Sequence, residues 1–323
     1  TQSRSSAASD VYKRQANTYN TAVGSSAGND VTTGVRNTLI GGLAGDAKTT
    51  GNNDVAIGYQ ALSTDVAGQN SVAVGYQALF AQNLTTATNS YNVAVGRSAG
   101  AAVTTGLQNT LVGALAGDAL TDADDNVALG YLALSTDTLG SKSTALGQRA
   151  LGTQNFTTAT DSLNTAVGYQ AGTEVTTGIK NVLIGALAGD ALTDADQNVA
   201  VGHLTLSADV LGSHSVAVGN NALRRQNFTT ATDTYNVAVG DDAGTQITTG
   251  IFNTLTGGLA GDALTTGTRN VAVGKDALTS DTLGSRSTAV GFAALLTQNF
   301  TTATDVYNVA VGEQAGLNVT TGK

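Results

Sequence analysis

Two histidines, His203 and His214, are the only imidazoles in a chain of 323 residues that has no cysteine. Acid–base or metal chemistry at neutral pH would have to rest on them or on clustered carboxylates. The sequence is repetitive, and the counterparts in neighbouring copies are Tyr131 and Lys275 for the first histidine, and Lys142 and Arg286 for the second. A general base is not interchangeable with Tyr, Lys and Arg, so both histidines read as solvated turn residues. Serine and threonine are plentiful, but no His/Asp set accompanies them at a repeated spacing, as nucleophilic catalysis would require. Carboxylates recur at Asp46, Asp118, Asp190 and Asp262 in Leu-Ala-Gly-Asp-Ala. They are joined by Asp122, Asp124 and Asp125 in one copy and by Asp194 and Asp196 in another. Calcium takes such oxygen-rich groups, yet two of the four copies lack the additional acids and no glycine-rich calcium nonapeptide is present. These turns read as solvated, with calcium carried as an alternative.

A second group of residues points to modification or recognition. Gln-Asn-Phe-Thr-Thr-Ala-Thr-Asp spans Gln154 to Asp161, Gln226 to Asp233 and Gln298 to Asp305, with a variant from Gln82 to Asn89. Asn83, Asn155, Asn227 and Asn299 each open an Asn-X-Thr sequon, an N-glycosylation acceptor in a glycosylating cell. The bland alternative is a threonine-rich loop closed by Phe156 packing near the next tyrosine position (Tyr91, Tyr235, Tyr307). Thr-Thr-Gly follows Val31, Val103, Val175, Ile247 and Val319, so an ice-binding threonine array is a further alternative. It would need the same threonine on every turn of the fold, and this tripeptide recurs regularly only once in each copy of the repeat.

The frame for these residues is that repeat. A string such as Val-Ala-Val-Gly closes on Gly24, Gly41, Gly58, Gly75, Gly96, Gly113, Gly130, Gly147, Gly168, Gly185, Gly202, Gly219, Gly240, Gly257, Gly274, Gly291 and Gly312. The steps run 17, 17, 17, 21 and cycle without error, which gives a 72-residue unit of four coils. A fixed period of this length marks a solenoid, in which length sets the number of turns rather than the number of domains. The residue before the glycine is Val, Ile or Leu in sixteen of the seventeen coils, Thr256 being the exception. Two residues earlier stands Val or Thr, and between them Ala or Leu. That alternation predicts a strand, and the glycine and Asn/Asp between runs exclude a helix.

Four residues before the glycine stands Asn in twelve coils, Asp54 in one, and Ser71, Ser143, Ser215 and Ser287 in the long coils. Asn at a fixed place in stacked coils predicts a side-chain ladder and suits left-handed backbone. The recurring glycine itself predicts positive φ or close approach of a second backbone. The expected fold is therefore all-β: a β-solenoid of seventeen stacked coils over residues 16–323, a rod about 80 Å long at about 4.8 Å per coil. The four additional residues of each long coil should bulge from it, about 19 Å apart along the axis.

Composition agrees with this frame. Proline is absent, and aromatic residues make up only 5%, which suits a thin core of small side chains and continuous ladders. A net charge of −9 argues against nucleic acid, and no apolar run reaches the length of a membrane span. Residues 1–15 lie outside the repeat and resemble a translated sequencing adaptor, so they are expected to be non-native or a disordered leader. A flat coil of Ala and Val buries little alone, which favours a homo-oligomer about the rod axis.

The phrase Asn-Thr-Ala-Val-Gly-Tyr-Gln-Ala-Gly from Asn164 to Gly172, with its relatives from Asn92 and Asn126, resembles the head repeat of trimeric autotransporter adhesins. It resembles still more the 17-residue repeats of phage tail fibres and related surface fibres. The resemblance covers residues 20 to the C-terminus. It implies a left-handed parallel β-roll, a homotrimer, and a place on a cell surface, in the extracellular space or on a virion. The expected function is a non-catalytic fibre or adhesin rod with a host-surface or glycan ligand and no cofactor. An ice- or calcium-binding solenoid and a glycan-bearing filament protein are the alternatives.

Overall fold

The computed structural model describes residues 18–323 as two compact units, 18–162 and 163–323. The expectations for residues 1–15 lie outside the described residues. The first unit contains eight three-residue strands, from Thr21–Val23 to Thr144–Leu146, and the second contains nine, from Thr165–Val167 to Val309–Val311. Each such strand belongs to one of the seventeen coils of a parallel β-solenoid, and no helix occurs among the described residues. Within each unit a strand pairs with the same three positions of the next coil. Thr21, Ala22 and Val23 face Thr38, Leu39 and Ile40 in the first unit, and Val182, Leu183 and Ile184 face Val199, Ala200 and Val201 in the second.

The register survives the long coils. Val72 still faces Val93, and Val216 faces Val237, although a long coil separates the members of each pair. The additional residues leave the main ladder and return through a short second pairing, Gly68–Gln69 with Thr88–Asn89 in the first unit. The bulge is thus small. Thr85, Thr86 and Ala87 are exposed, whereas the preceding Leu84 is buried.

Only the middle residue of each strand points inward. Ala56, Ala73, Leu111, Ala200 and Leu255 are fully buried, while the residues on either side of them stay half-exposed or exposed. The core conserves volume across positions. In the second coil of a cycle the inward residue is Leu. Leu111 sends Cδ1 toward Gly100 and Cδ2 toward Gly117, where an added Cβ would come within 2.7 Å of each methyl. In the third and fourth coils the inward strand residue is Ala, and the turn position held elsewhere by Gly is filled by buried Leu62, Leu79, Leu134 and Leu151. Those leucines adopt φ between 48° and 52°, a left-handed conformation that costs a non-glycine residue about 1–2 kcal/mol. The coil closure and the burial of a large side chain offset that cost.

The recurring glycine satisfies both expectations. Gly113 has φ of 134°, and a Cβ there would lie 2.5 Å from the carbonyl oxygen of Gly130 in the next coil. The Asn ladder is also present. Asn109 Oδ1 accepts the Asn126 N–H at 3.0 Å, and its Nδ2 donates to Ala123 O at 2.7 Å. The left-handed residue, however, is the one before the Asn, as at Arg36, Gln108 and Lys180. The ladder Asn itself is outside the left-handed region, and its side chain reaches along the stack.

Candidate functional site

The long coil solves a reach problem. Its ladder position holds Ser, too short to bridge, and the glutamine of the Gln-Asn-Phe segment supplies the missing amide. Buried Gln226 donates to Asp209 Oδ2 at 2.5 Å and Ser215 Oγ at 2.8 Å, and its Oε1 accepts from Asn236 Nδ2 at 2.9 Å. Gln82 and Gln298 make the same three contacts in their own coils. Phe156, Phe228 and Phe300 are buried beside this network. Phe156 takes the space next to Gly140, where a Cβ would meet its Cδ2 at 2.8 Å, and its N–H binds Asp137 at 3.0 Å. The tyrosines of the following turn stay outside: Tyr91, Tyr235 and Tyr307 are exposed.

Between glutamine and phenylalanine lies the sequon asparagine. Asn83, Asn155 and Asn227 are exposed and Asn299 half-exposed, each followed after one residue by an exposed threonine. Thr138 and Thr282 donate to the Oδ1 of Asn155 and Asn299 at 3.2 and 3.1 Å. These asparagines continue a column of threonines that the Thr-Thr-Gly tripeptides only partly reveal, for Thr104, Thr121 and Thr138 occupy the same place on successive coils. Their hydroxyls are used internally: Thr104 donates to Thr121 O at 3.2 Å and Thr121 to Thr138 O at 3.0 Å.

The outward side of the main sheet is the second feature. Val199, Val216 and Val237 form one column, and Val201, Val218 and Val239 a parallel one, joined coil to coil by the ladder. Ile184, Leu129 and Val239 are more than a third exposed. One flank carries planar side chains in a stack. His214 lies 5.0 Å from Tyr235, Tyr235 lies 5.9 Å from Phe252, and the Arg269 guanidinium lies 5.3 Å above the Phe252 ring. In the first unit Tyr59 and Tyr76 stack at 5.7 Å on the other flank.

The remaining candidates for chemistry are dispersed. His203 Nδ1 lies 3.3 Å from Asn220 and His214 Nδ1 3.0 Å from Asp233, both at the surface. Among the described residues no three His, Cys, Asp or Glu side chains converge as metal ligands. Several acids instead bind the preceding coil. Asp124 and Asp196 accept the N–H groups of Leu107 and Ile179 at 2.7 Å, and Asp122 and Asp194 accept from Thr105 and Thr177. The Leu-Ala-Gly-Asp carboxylates differ. Asp46, Asp118, Asp190 and Asp262 each hold a buried Oδ1 without a hydrogen-bond partner. Desolvation raises all four from the ordinary carboxylate value, Asp262 to about 6.

No helix of the described residues is long and apolar enough to cross a membrane. No family model and no curated protein matches the chain.

Proposed function

We propose that this chain is a non-catalytic structural element of an extracellular, cell-surface or virion-surface fibre, built as a homotrimer through the outward face of its sheet. The observation that carries the reading is that face: two columns of Val, Ile, Leu and Thr, left half-exposed or exposed on coil after coil. Fully burying one aliphatic side chain is worth about 1.5–3 kcal/mol, and the remaining fraction of that gain, repeated along a column, is set against an association cost of about 4–15 kcal/mol. A surface periodic at the coil rise is matched best by an object of the same rise, which is another copy of the chain. The adhesin-head and tail-fibre resemblance agrees with three copies.

In this reading the long-coil loops, with Asn83, Asn155, Asn227 and Asn299, are lateral features that carry glycans or contact a host surface. Repetition on one fibre would turn weak contacts into avidity. Light scattering tests the assembly. The expected mass is three times the 32.2 kDa chain. A Val199→Asp, Val201→Asp variant should fall toward a single chain and keep its β-type circular dichroism. A wild-type protein that scatters as one chain would defeat the proposal.

A further inference from the structure

One buried cluster has no counterpart in the other three cycles. At the position of Leu120, Leu192 and Leu264, the first cycle has Lys48, and at the position of Asn126, Asn198 and Asn270 it has Asp54. The two changes meet in space. Lys48 Nζ lies 2.8 Å from Asp54 Oδ2, 2.8 Å from Asp65 Oδ2 and 2.9 Å from Gly68 O, and all three side chains are fully buried. Gly51 makes room for the ammonium, since a Cβ there would lie 2.5 Å from Nζ. Two of the equivalent coils have alanine at that place, Ala123 and Ala195.

The two carboxylates are unlike. Asp65 accepts hydrogen bonds from the N–H groups of Gly68 at 3.3 Å and Leu84 at 3.0 Å, from Gln82 Nε2 at 3.3 Å and from Lys48. Asp54 accepts one bond on Oδ1, from the Ser71 N–H at 2.8 Å, and its Oδ2 sits beside Nζ off the direction of a hydrogen bond. One ammonium between two carboxylates leaves an excess negative charge inside the coil, and burying uncompensated charge is costly. Desolvation pushes the Asp54 carboxyl up to about 6 against the lowering effect of Lys48, so near neutral pH a minor fraction carries the neutral acid.

We propose that Lys48 and Asp54 condense to an intramolecular isopeptide bond, with Asp65 as the proton carrier. The Lys48 ammonium gives a proton to Asp65, and the neutral Nζ adds to Cγ of the protonated Asp54. The C–OH bond then breaks. The departing oxygen takes a proton through Asp65 and leaves as water, and the last amine proton to be lost remains on Asp65. A C–N bond replaces a C–O bond, one water is released, and nothing is oxidised or reduced. Holding amine and acid together in a closed site supplies effective molarities of about 10⁵–10⁸ M. The product is a neutral amide in place of a buried ion cluster. This inference does not depend on the assembly proposed above.

Mass spectrometry of the full-length chain tests it. The expected intact mass is that of the sequence less one water. After denaturation and trypsin, residues 37–97 should remain one peptide, uncut at Lys48, with fragment ions placing the link on Asp54. Full mass and cleavage after Lys48 would overturn the proposal, and a link on Asp65 would overturn the choice of electrophile. A Lys48→Leu, Asp54→Asn variant carries the residues of the other cycles, should fold, and should show full mass. Asp65→Asn should also leave Lys48 free. A chain still short of one water with Asn at 65 would remove Asp65 from the reaction.

Discussion

Leu111→Ala tests the way the core divides its volume between strand and turn. Leu111 is fully buried and sends one methyl toward Gly100 and the other toward Gly117. Leu→Ala in a core costs about 2–5 kcal/mol, more where the surroundings cannot collapse. Here two of the neighbours are glycines with no side chain to move inward, so the upper half of that range is expected. Gly117→Ala should also destabilise in the wild-type background. Its φ is 56°, worth about 1–2 kcal/mol against alanine, and its methyl would stand 2.7 Å from Leu111 Cδ2 and 2.9 Å from Leu120 Cδ1. Combined, the two changes should be less harmful than their sum by about 1–3 kcal/mol, because the new methyl enters space that Leu111 vacated. The assay is urea denaturation followed by circular dichroism at fixed protein concentration, comparing midpoints at constant slope. A coupling within about 0.5 kcal/mol of zero would refute the claim that strand leucine and turn glycine are complementary.

Two further outcomes follow from the polar interior. Gln226→Leu leaves Asp209, Ser215 and Asn236 each short of a buried partner, at about 1–3 kcal/mol for each unsatisfied group, whereas Asn227→Ala at its exposed neighbour should stay within about 0.5 kcal/mol; thermal melts of the two variants compare them. The pH dependence should run opposite to ordinary acid denaturation, because a carboxyl whose folded value is raised binds its proton more tightly in the folded state. Asp262, raised to about 6, and the raised Asp46, Asp118 and Asp190 therefore stabilise most below the unfolded value of about 3.9. That contribution is lost as pH rises toward 6, so the melting temperature should climb on acidification through this window, and less so with Asp262→Asn.

What the sequence makes legible is whatever the period enforces. Stacked coils must keep register, so a string ending on Gly24 and again on Gly41 already contains the pairing of Ala22 with Leu39. Alternation likewise shows that one strand face is buried. It does not say that Leu62 and Leu79 take left-handed backbone, because leucine is among the least suited residues for that conformation and only coil closure imposes it. Gln226 reads as part of a loop because its neighbours Asn227, Thr229 and Thr230 are polar and exposed. The available signal was the shorter serine at the ladder position of the same coil, which leaves an amide to be supplied from elsewhere. The left-handed residue falls one position before the ladder Asn, at Arg36, Gln108 and Lys180, while the Asn side chain bridges to the next coil.

The Lys48 cluster follows from how the cycle partitions its inner turn column. In the second cycle that column runs Val103, Leu120, Asp137, Gln154, two apolar residues and then two polar ones, and Leu192 and Leu264 hold the second place in later cycles. A cation at the second place is therefore already next to a fixed carboxylate at the third. Asp65 is in place whether or not Lys48 is, because the N–H groups of Gly68 and Leu84 require an acceptor there. A Leu→Lys change alone would give a neutral pair. The accompanying Asn→Asp at 54 removes an amide from the ladder and places a second acid beside Nζ. Ion pairing by itself gains nothing from that second acid. Condensation does, because it needs one carboxyl to be attacked and another to carry the proton.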